Sequence, residues 1–186
     1  MGDVEFVFES YLWKQKRLVF LAHDKKDTAK KYVVKFTGRP HPAGLHRLLA
    51  DNDFAPPLRA CGEQLPWWHV TVVDYVQDGQ HFSPAKPEHA GFYDKLCEGV
   101  KLMHDNGWVH GDLRSPNILV TGNQVYLIDL DWAGKPDEQQ SKYPPLLNSE
   151  VFDEACQEEG IKAGEPITKE HDNFMLARLK PKELAQ

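Results

Sequence analysis

Three polar side chains at short spacings near the middle of the chain could together carry out one reaction. Asp112 and Asn117 lie five residues apart, and Asp129 follows twelve residues after Asn117. A carboxylate can accept the proton of an attacking hydroxyl group, and carboxylate and amide oxygens are suitable ligands for magnesium. Transfer of a phosphoryl group needs both a proton acceptor and bound magnesium. The spacing therefore predicts phosphoryl-transfer chemistry at this segment.

The elements predicted around this segment would hold the three side chains close together. Upstream, apolar residues at spacings of four, four and three predict an amphipathic helix that ends at Asn106-Gly107; they are Phe92, Leu96, Val100 and Met103. Downstream, residues 118–120 and 125–128 predict a hairpin, with Asp129 at its end. A His-x-Asp-x-x-x-x-Asn pattern alone is a weak indication, but this setting favours a functional loop over incidental spacing.

The first third of the chain predicts a strand-rich region with one helix. Runs of β-branched and aromatic residues predict five strands, at Val4–Trp13, Leu18–Leu21, Tyr32–Phe36, Leu58–Cys61 and Trp68–Val73. Polar residues 14–17 and 23–31 would form the first two turns. Pro42 is suited to the first turn of a helix that ends near Asn52, with Leu45, Leu48 and Leu49 on one face.

The remainder of the chain predicts helices separated by loops. Residues 133–148 are rich in proline and polar side chains and predict a loop. Ser149 could cap a short helix through Glu159, and Thr168 could cap a second one; the second helix carries Phe174, Met175 and Leu179. The order of elements predicts an α+β fold of two lobes, with the cleft between them as the expected site.

Two stretches of this sequence resemble known kinases. His110-Gly111-Asp112-Leu113 resembles the aminoglycoside phosphotransferase and choline kinase branch of the protein-kinase-like superfamily, and the wording Asp112–Leu119 also resembles tyrosine kinase loops. Residues 128–134, followed by Lys142-Tyr143-Pro144, resemble kinase-like proteins abundant in fungi. The resemblance implies one protein-kinase-like domain over 1–186, with a strand-rich N-lobe at 1–76, a hinge at 77–80 and a shortened helical C-lobe at 81–186.

The resemblance also implies a role for each matching residue. The catalytic residues would be Asp112, Arg114 and Asn117; the metal ligands would be Asn117, Asp129 and Asp131; the nucleotide contacts would be Lys35, Asp74, Tyr75 and Val76. ATP and Mg²⁺ would be the cofactors. His110 would hold the loop, and Asp172 would support it from below. Three of these residues have a structural alternative that the sequence alone leaves open. Lys35 could be an exposed lysine at a strand end, and Asp131 a solvated acid in a loop. Asp172 could be an acid that the helix dipole favours at a helix start.

The sequence departs from the kinase pattern in several places. The turn Trp13–Arg17 contains no glycine, although a glycine-rich loop normally covers the phosphates. No glutamate occurs between Glu9 and Glu63, so the helix after Lys35 lacks the usual acidic partner, and residues 43–46 occupy its position. Gly111 replaces an arginine that reads activation-loop phosphorylation, which predicts that no such switch exists here.

Length and composition add expectations about partners and location. Only seven residues follow Leu179, so a second copy of the chain or a protein partner is expected to cover apolar surface on segments 89–104 and 169–180. The net charge of −6 argues against nucleic acid as a partner. Neither a signal-peptide pattern nor an apolar run of about 20 residues occurs, and the three cysteines are far apart. These features predict a cytoplasmic protein without a membrane partner.

The sequence thus favours a phosphotransferase that depends on Mg²⁺ and ATP and acts on a hydroxyl group. The His110-Gly111-Asp112 loop and the acid pair Asp129 and Asp131 lean slightly towards a small-molecule acceptor, whereas Arg114 and 142–144 lean towards a peptide. A pseudokinase that serves as a binding or regulatory module is the alternative, because the glycine-rich loop and the glutamate are missing. A third hypothesis is transfer of another group, such as AMP.

Overall fold

The computed structural model describes residues 4–12, 18–136 and 141–182. The glycine-free turn Trp13–Arg17, including the turn predicted at 14–17, lies outside these residues. The chain divides into two compact units, Met1–Asp78 and Gly79–Gln186, and each is described by itself below. Across the described ranges, no helix combines the length and the apolar character needed to cross a membrane.

The first unit is built on a five-stranded antiparallel sheet. Its strands are β1 (Phe6–Tyr11), β2 (Leu18–Asp24), β3 (Lys31–Thr37), β4 (Leu58–Leu65) and β5 (Trp68–Asp74). The strand order is β1-β2-β3-β5-β4, so β3 lies at the centre. Alternation along β3 buries Tyr32 and Val34, which pack with Ala22, Val70 and Val72 into the core on one face of the sheet. Predicted strands at all five positions are confirmed.

One helix, α1 (Ala43–Ala50), accompanies this sheet and contacts β4. Pro42 stands immediately before the helix, as predicted, because its fixed φ suits a helix start. Leu45 and Leu49 are fully buried, whereas Leu48 is half-buried. The buried face also contains His46, a polar residue that the apolar pattern did not single out.

Strand boundaries differ from the predicted ones where the strand is exposed or irregular. All six residues of β1 are exposed, and the strand is shorter than the predicted Val4–Trp13. Its aromatic residues favour a strand, but without a buried face the sequence pattern does not define where the strand ends. The fourth strand extends to Leu65 rather than Cys61. Its pairing with β5 contains two register shifts, between Leu58 and Ala60 and between Glu63 and Leu65.

The second unit combines a small sheet with three helices. Its strands are β6 (Gln80–His81), β7 (Ile118–Thr121) and β8 (Gln124–Leu127), and its helices are α2 (Tyr93–Asp105), α3 (Glu154–Glu158) and α4 (Lys169–Arg178). Short 3₁₀ helices occur at Pro87–Phe92, Ser115–Asn117 and Leu130–Trp132. The strand order is β6-β7-β8, with both pairs antiparallel. The amphipathic helix before the loop and the hairpin after it are both confirmed.

Two local predictions in this unit need correction. Gln80, which was assigned to the hinge, lies in β6 and pairs with Val120, a long-range pairing that no local pattern reveals. Ser149 does not cap a helix, because α3 begins only after Asp153, whose carboxylate accepts a hydrogen bond from the Cys156 amide at 3.1 Å. The Thr168 cap of α4 is confirmed: its hydroxyl accepts a hydrogen bond from the His171 amide.

Exposed large apolar side chains are not found on the two segments where a covering partner was expected. Among the described residues they lie on the first two strands, at the turn between β4 and β5, and in the loop before α3; they are Phe6, Val7, Phe8, Tyr11, Leu12, Leu18, Trp67, Trp68 and Leu146. None of them belongs to 89–104 or 169–180. On α2 the apolar residues Leu96, Val100 and Met103 are buried.

Candidate active site

The predicted catalytic loop is fixed at both ends by backbone hydrogen bonds. Its start is held to the segment after the hairpin, because Val109 and Gly134 exchange two hydrogen bonds of 2.9 and 3.1 Å. Its end is the 3₁₀ helix Ser115–Asn117, and the Asn117 carbonyl accepts from the Ile128 amide at 2.9 Å. The loop therefore runs between two fixed points, and the second point lies one residue from Asp129.

A buried carboxylate from α4 supports the loop from below. Asp172 is 1% exposed and accepts hydrogen bonds from the amides of His110, at 2.7 Å, and Gly111, at 2.8 Å. Its Oδ2 also lies 3.1 Å from His104 Nε2 on α2. The predicted support role of Asp172 is confirmed by these contacts, and its place in the first turn of α4 also suits the helix dipole.

His110 is wholly buried, and its contacts are structural. Its Nδ1 accepts a hydrogen bond from the Asp112 amide at 3.2 Å, so the neutral ring carries its proton on Nε2. That Nε2 has no hydrogen-bond partner among the residues described. The ring therefore shapes the backbone on the way to Asp112, in agreement with the predicted holding role.

The three residues predicted to be catalytic are in direct contact with one another. Arg114 Nε lies 2.6 Å from Asp112 Oδ1, and Arg114 Nη2 lies 3.2 Å from Oδ2. Asn117 Nδ2 donates to the same Oδ2 at 2.7 Å and to the Asp112 carbonyl at 2.8 Å. The Asp112 carboxylate is only 5% exposed, so its charge is balanced by Arg114 rather than by solvent.

The side-chain amide of Asn117 is oriented so that its oxygen remains for another ligand. Both of its contacts are with acceptor oxygens of Asp112, so the atom in contact must be the nitrogen, and both its hydrogens are used. Asn117 Oδ1 then points away from Asp112. The main-chain carbonyl of Asn117 separately binds the amide of Ile128, the residue before Asp129. An amide oxygen beside a carboxylate is a donor set that fits Mg²⁺.

Asp129 adopts a backbone conformation that is uncommon for a residue with a side chain. Its φ of 60° and ψ of 56° are in the left-handed region, which asparagine and aspartate tolerate best. Such strained positions cluster at functional sites. Asp129 and Asp131 are half-buried, and Asp131 follows in the 3₁₀ helix Leu130–Trp132. No group of three or more His, Cys, Asp or Glu suited to a metal occurs in the described ranges, so the candidate set depends on the Asn117 amide.

An aromatic cluster that the sequence did not predict lies close to the carboxylates of the loop. Tyr143 is buried, and its pKa is raised by burial first and then by the charges of Asp172 and Asp112. Its ring contacts three others, from Trp132, Phe152 and His171. The segment 142–144, which the sequence indicated only through its resemblance to kinase-like proteins, therefore packs against His171 of α4, and Lys142 pairs with Pro166.

The remaining predicted site residues belong to the first unit. Lys35 lies on β3 opposite Thr71. The Asp74 carboxylate is held by both Nε and Nη2 of Arg59. The amides of Asp74 and Tyr75 already bind the carbonyls of Pro57 and Lys31. The Val76 amide is the next donor along the chain.

Gly111 is required at its position both by its backbone and by a neighbouring side chain. Its φ is +78°, and a Cβ atom there would lie 2.7 Å from Ile167 Cδ1. We expect Gly111→Ala to lower the free energy of unfolding by about 2–4 kcal/mol, from left-handed strain together with overpacking. Chemical denaturation of the variant measures this loss.

A matched glycine separates the two causes. Gly164 has nearly the same φ, +79°, but nothing lies within 4 Å of its added Cβ, so Gly164→Ala measures the backbone strain alone. Adding Ile167→Val, which removes the clashing Cδ1, should recover part of the loss in Gly111→Ala but not all of it. Equal losses in Gly111→Ala and Gly164→Ala would show that Ile167 plays no part.

Comparison with known proteins agrees with this geometry. Residues 58–144, just under half of the chain, match the RIO domain family. The chain is 29% identical over 120 residues to the serine/threonine-protein kinase chk1 of Schizosaccharomyces pombe, which covers 52% of this chain and 24% of the relative. It is 22% identical over 153 residues to the serine/threonine-protein kinase CLA4 of Saccharomyces cerevisiae, covering 80% of this chain but 17% of the relative. The chain thus spans about a quarter or less of these relatives.

Solved structures contain a similar fold. The structure of PK-1, the Cydia pomonella granulovirus kinase, superposes with a TM-score of 0.69 at 18% identity and covers 92% of this chain and 65% of the viral chain. The predicted α+β, protein-kinase-like fold is therefore confirmed. From the domain match, the kinase relatives and the shared fold together, the chain belongs to the protein-kinase-like superfamily.

Proposed function

We propose that this protein is a phosphotransferase that uses ATP and Mg²⁺ to phosphorylate a hydroxyl group. The observation that carries the proposal is the hydrogen-bonded set of Asp112, Arg114 and Asn117, with Asp129 one residue beyond the backbone contact of Asn117. A proton acceptor, a cation and an oxygen donor for metal are thereby held on one rigid loop. The RIO domain match and the kinase relatives support the same chemistry.

Asp112 is the proposed proton acceptor, and its hydrogen bonds indicate which oxygen acts. A carboxylate offers about four lone-pair positions. Among the residues that the structure describes, Oδ2 accepts from Arg114 and Asn117, whereas Oδ1 accepts only from Arg114 Nε. Oδ1 therefore has a lone pair left for the acceptor hydroxyl. That hydroxyl oxygen attacks the γ-phosphorus of ATP, its proton passes to Oδ1, and the bond to the ADP oxygen breaks.

The other residues of the set orient and balance charge. Arg114 offers five donors, and two of them bind Asp112, so others can face the transferred phosphoryl group. Asn117 Oδ1 and the carboxylate of Asp129 are the proposed magnesium ligands, with Asp131 as a further contact. When bound, Mg²⁺ supplies positive charge that stabilises the phosphate oxygens during transfer.

Nucleotide contacts are also proposed for the first unit. Lys35 would bind the phosphates, by its resemblance to the lysine on the third strand of kinases. The backbone of Asp74, Tyr75 and Val76 would bind the base, and the Val76 amide is the donor best suited because the two preceding amides are engaged. The wider organisation stays a proposal as well: one kinase-like domain with 1–76 as N-lobe and 81–186 as C-lobe.

Two classes of acceptor have separate support. The Gly111-containing loop and the acid pair Asp129 and Asp131 resemble small-molecule kinases and favour a small hydroxyl compound. The relatives chk1 and CLA4 bear the name serine/threonine-protein kinase, which favours a protein hydroxyl. Phosphate transfer from labelled ATP to a panel of small alcohols and to a panel of serine peptides separates the classes. The product mass also separates phosphoryl transfer from transfer of AMP.

Nucleotide binding is tested by thermal shift with ATP, with and without Mg²⁺. A ligand at about 100 times its dissociation constant stabilises by about 2.7 kcal/mol, which raises the melting temperature by about 5–10 °C. We expect this rise only when Mg²⁺ is present, and we expect Asp129→Asn to lose it. Asparagine is the appropriate replacement because it also tolerates the left-handed backbone of Asp129.

A pseudokinase is the second candidate. The absence of glycine from the turn Trp13–Arg17 and of glutamate between Glu9 and Glu63 favours it. The absence of stabilisation by ATP in every condition would support a binding module and contradict our proposal. Stabilisation that is equal in wild type and Asp129→Asn would contradict the metal role of Asp129 alone.

Location and partners complete the proposal. All three cysteines, Cys61, Cys97 and Cys156, are free thiols in the structure, which supports a reducing, cytoplasmic compartment. A homodimer or a protein partner also stays a proposal. The exposed apolar residues of β1, β2 and the turn at Trp67 are the surface that such a partner would cover best.

A further inference from the structure

Two histidines in the first unit form a hydrogen-bonded relay that the proposed chemistry does not use. His41 Nε2 lies 2.8 Å from His46 Nδ1, and His46 Nε2 lies 2.8 Å from the carbonyl oxygen of Pro56. The two ring centroids are 5.0 Å apart, and His46 is only 5% exposed. The relay connects the residue before Pro42, the helix α1 and the segment that leads into β4.

Both histidines are held in the neutral form. Burial is the main cause that lowers the pKa of His41 to about 3, and the charges of His46 and Lys35 lower it further. Burial also lowers the pKa of His46, and the nearby charge of Arg47 adds to this, whereas the hydrogen bond to Pro56 opposes it. Near neutral pH each ring therefore has one donor nitrogen and one acceptor nitrogen.

The neutral relay permits only one arrangement of protons. The Pro56 carbonyl can only accept, so His46 Nε2 carries the proton and donates to it. His46 Nδ1 must then be an acceptor, and His41 Nε2 donates to it. The relay leaves His41 Nδ1 with a lone pair that is directed away from His46. The carbonyl of Pro56, fifteen residues further along the chain, thereby determines through His46 which tautomer His41 adopts.

Lys35 lies near this relay, because its charge is among those that act on His41. Side chains alternate between the two faces of β3, so Tyr32 and Val34 point to the face opposite Lys35. The apolar core that contains Tyr32 and Val34 therefore lies on that opposite face. The buried leucines of α1 are not part of that core, and α1 contacts β4, which agrees with a position of the helix on the face of Lys35 and Thr71. His41 lies four residues after the end of β3, immediately before this helix.

We propose that His41 is a positioning residue for Lys35, whose ammonium donates a hydrogen bond to His41 Nδ1. The inference rests on the proposed phosphate-binding role of Lys35. An ammonium has three donors, so this contact is compatible with other partners of the lysine. Helix α1 contains no acidic residue, and the imidazole relay takes the place that a carboxylate would have there. A neutral acceptor orients the lysine without neutralising its charge.

Two substitutions of His41 separate the two ends of the ring. His41→Gln places an amide near the position of Nε2, so it can donate to His46 but offers no acceptor to Lys35. His41→Asn places an oxygen near the position of Nδ1, so it keeps the acceptor for Lys35 and loses the contact with His46. If His41 positions Lys35, we expect His41→Gln to weaken Mg²⁺-ATP binding about tenfold and His41→Asn by less than about threefold.

Stability should show the opposite order. His41→Asn breaks the relay and should lower the melting temperature more than His41→Gln does. A purely structural role of His41 predicts that ATP affinity follows stability, so that His41→Asn is the weaker binder. Equal ATP affinity in the two variants, or weaker binding in His41→Asn, would overturn the proposal.

Nuclear magnetic resonance of the ¹⁵N-labelled histidines tests the relay without nucleotide. We expect His41 to be the tautomer protonated on Nε2, and Lys35→Met to raise the His41 pKa because it removes a neighbouring positive charge. Protonation of His41 Nδ1 in the wild type would contradict the proposal directly. If the wild type binds no ATP, the proposed function fails, but these two resonance measurements still decide whether His41 contacts Lys35.

Discussion

Replacing Asp172 with asparagine should destabilise the protein by about 3 kcal/mol or more. One buried carboxylate accepts hydrogen bonds from the amides of His110 and Gly111 and from the ring of His104. Asparagine has the same shape but only one acceptor oxygen, and its amide group would face a donor. Hydrogen bonds to a buried charge contribute about 1.5–3 kcal/mol each, and an unsatisfied donor adds a desolvation penalty. The melting temperature should fall by about 6–12 °C.

Glu170→Gln is the matched control, since Glu170 lies in the first turn of the same helix but is exposed. Both variants lose one negative charge near the start of α4, so the effect on the helix dipole is similar, about 0.3–1 kcal/mol. The difference between them measures the buried hydrogen bonds. Hydrogen exchange at the amides of His110 and Gly111 should accelerate in Asp172→Asn alone. A loss below about 1 kcal/mol would show that the loop does not depend on Asp172.

The contacts of Asp172 also show what the sequence can and cannot predict. Its support role followed from the resemblance around His171-Asp172, and the structure places it under the loop. Its third partner, His104, lies 68 residues away in the chain, and no local pattern connects a histidine on α2 with an acid on α4. Pairings of this kind depend on how the helices pack, which periodicity does not describe.

The same distinction holds for the secondary structure. The hairpin β7–β8 and the helix α2 were predicted because their apolar residues repeat with the period of the element. The cap of α3 was assigned to Ser149 rather than Asp153 because serine and aspartate are equally good caps, and only the backbone decides between them. The two-residue strand β6 exists only because β7 pairs with it.

At the candidate site the residue types were predictable, whereas their hydrogen bonds were not. The spacing of Asp112, Asn117 and Asp129 indicates phosphoryl transfer. The spacing does not show that Arg114 binds Asp112 or that the Asn117 amide turns its oxygen outward. Nor does it show that the backbone of Asp129 is left-handed. These features depend on the packing of the loop against the hairpin and α4.

The contact between Arg114 and Asp112 bears on the choice between an enzyme and a pseudokinase. An ion pair could hold Asp112 as a purely structural acid, because both of its oxygens accept from Arg114. A structural acid would, however, need no unused lone pair, and Oδ1 retains one. The pair also places a positive charge beside the Asp112 carboxylate, whose side chain is only 5% exposed. This geometry therefore favours catalysis, and a kinetic experiment decides it.

Asp112→Asn should reduce turnover of ATP with the acceptor by about a thousandfold. Asparagine keeps the shape of the side chain but cannot take up the hydroxyl proton at Oδ1, and positioned proton acceptors contribute about 10²–10⁴-fold. Mg²⁺-ATP binding should remain, because Asn117 and Asp129 are intact; thermal shift measures this. Turnover at 25 °C from labelled ATP measures the loss, and it should appear in the rate constant rather than in the KM for ATP.

Asp105→Asn provides the control for a lost carboxylate, because Asp105 is exposed and pairs with Lys101 at the end of α2. It should leave turnover unchanged. Turnover of Asp112→Asn within about tenfold of wild type would refute the role of Asp112 while leaving nucleotide binding in place. The wild-type protein could instead bind Mg²⁺-ATP but neither hydrolyse ATP nor transfer phosphate to any tested acceptor. That result would identify the hydrogen-bonded set of Asp112, Arg114 and Asn117 as a nucleotide-binding structure in a pseudokinase.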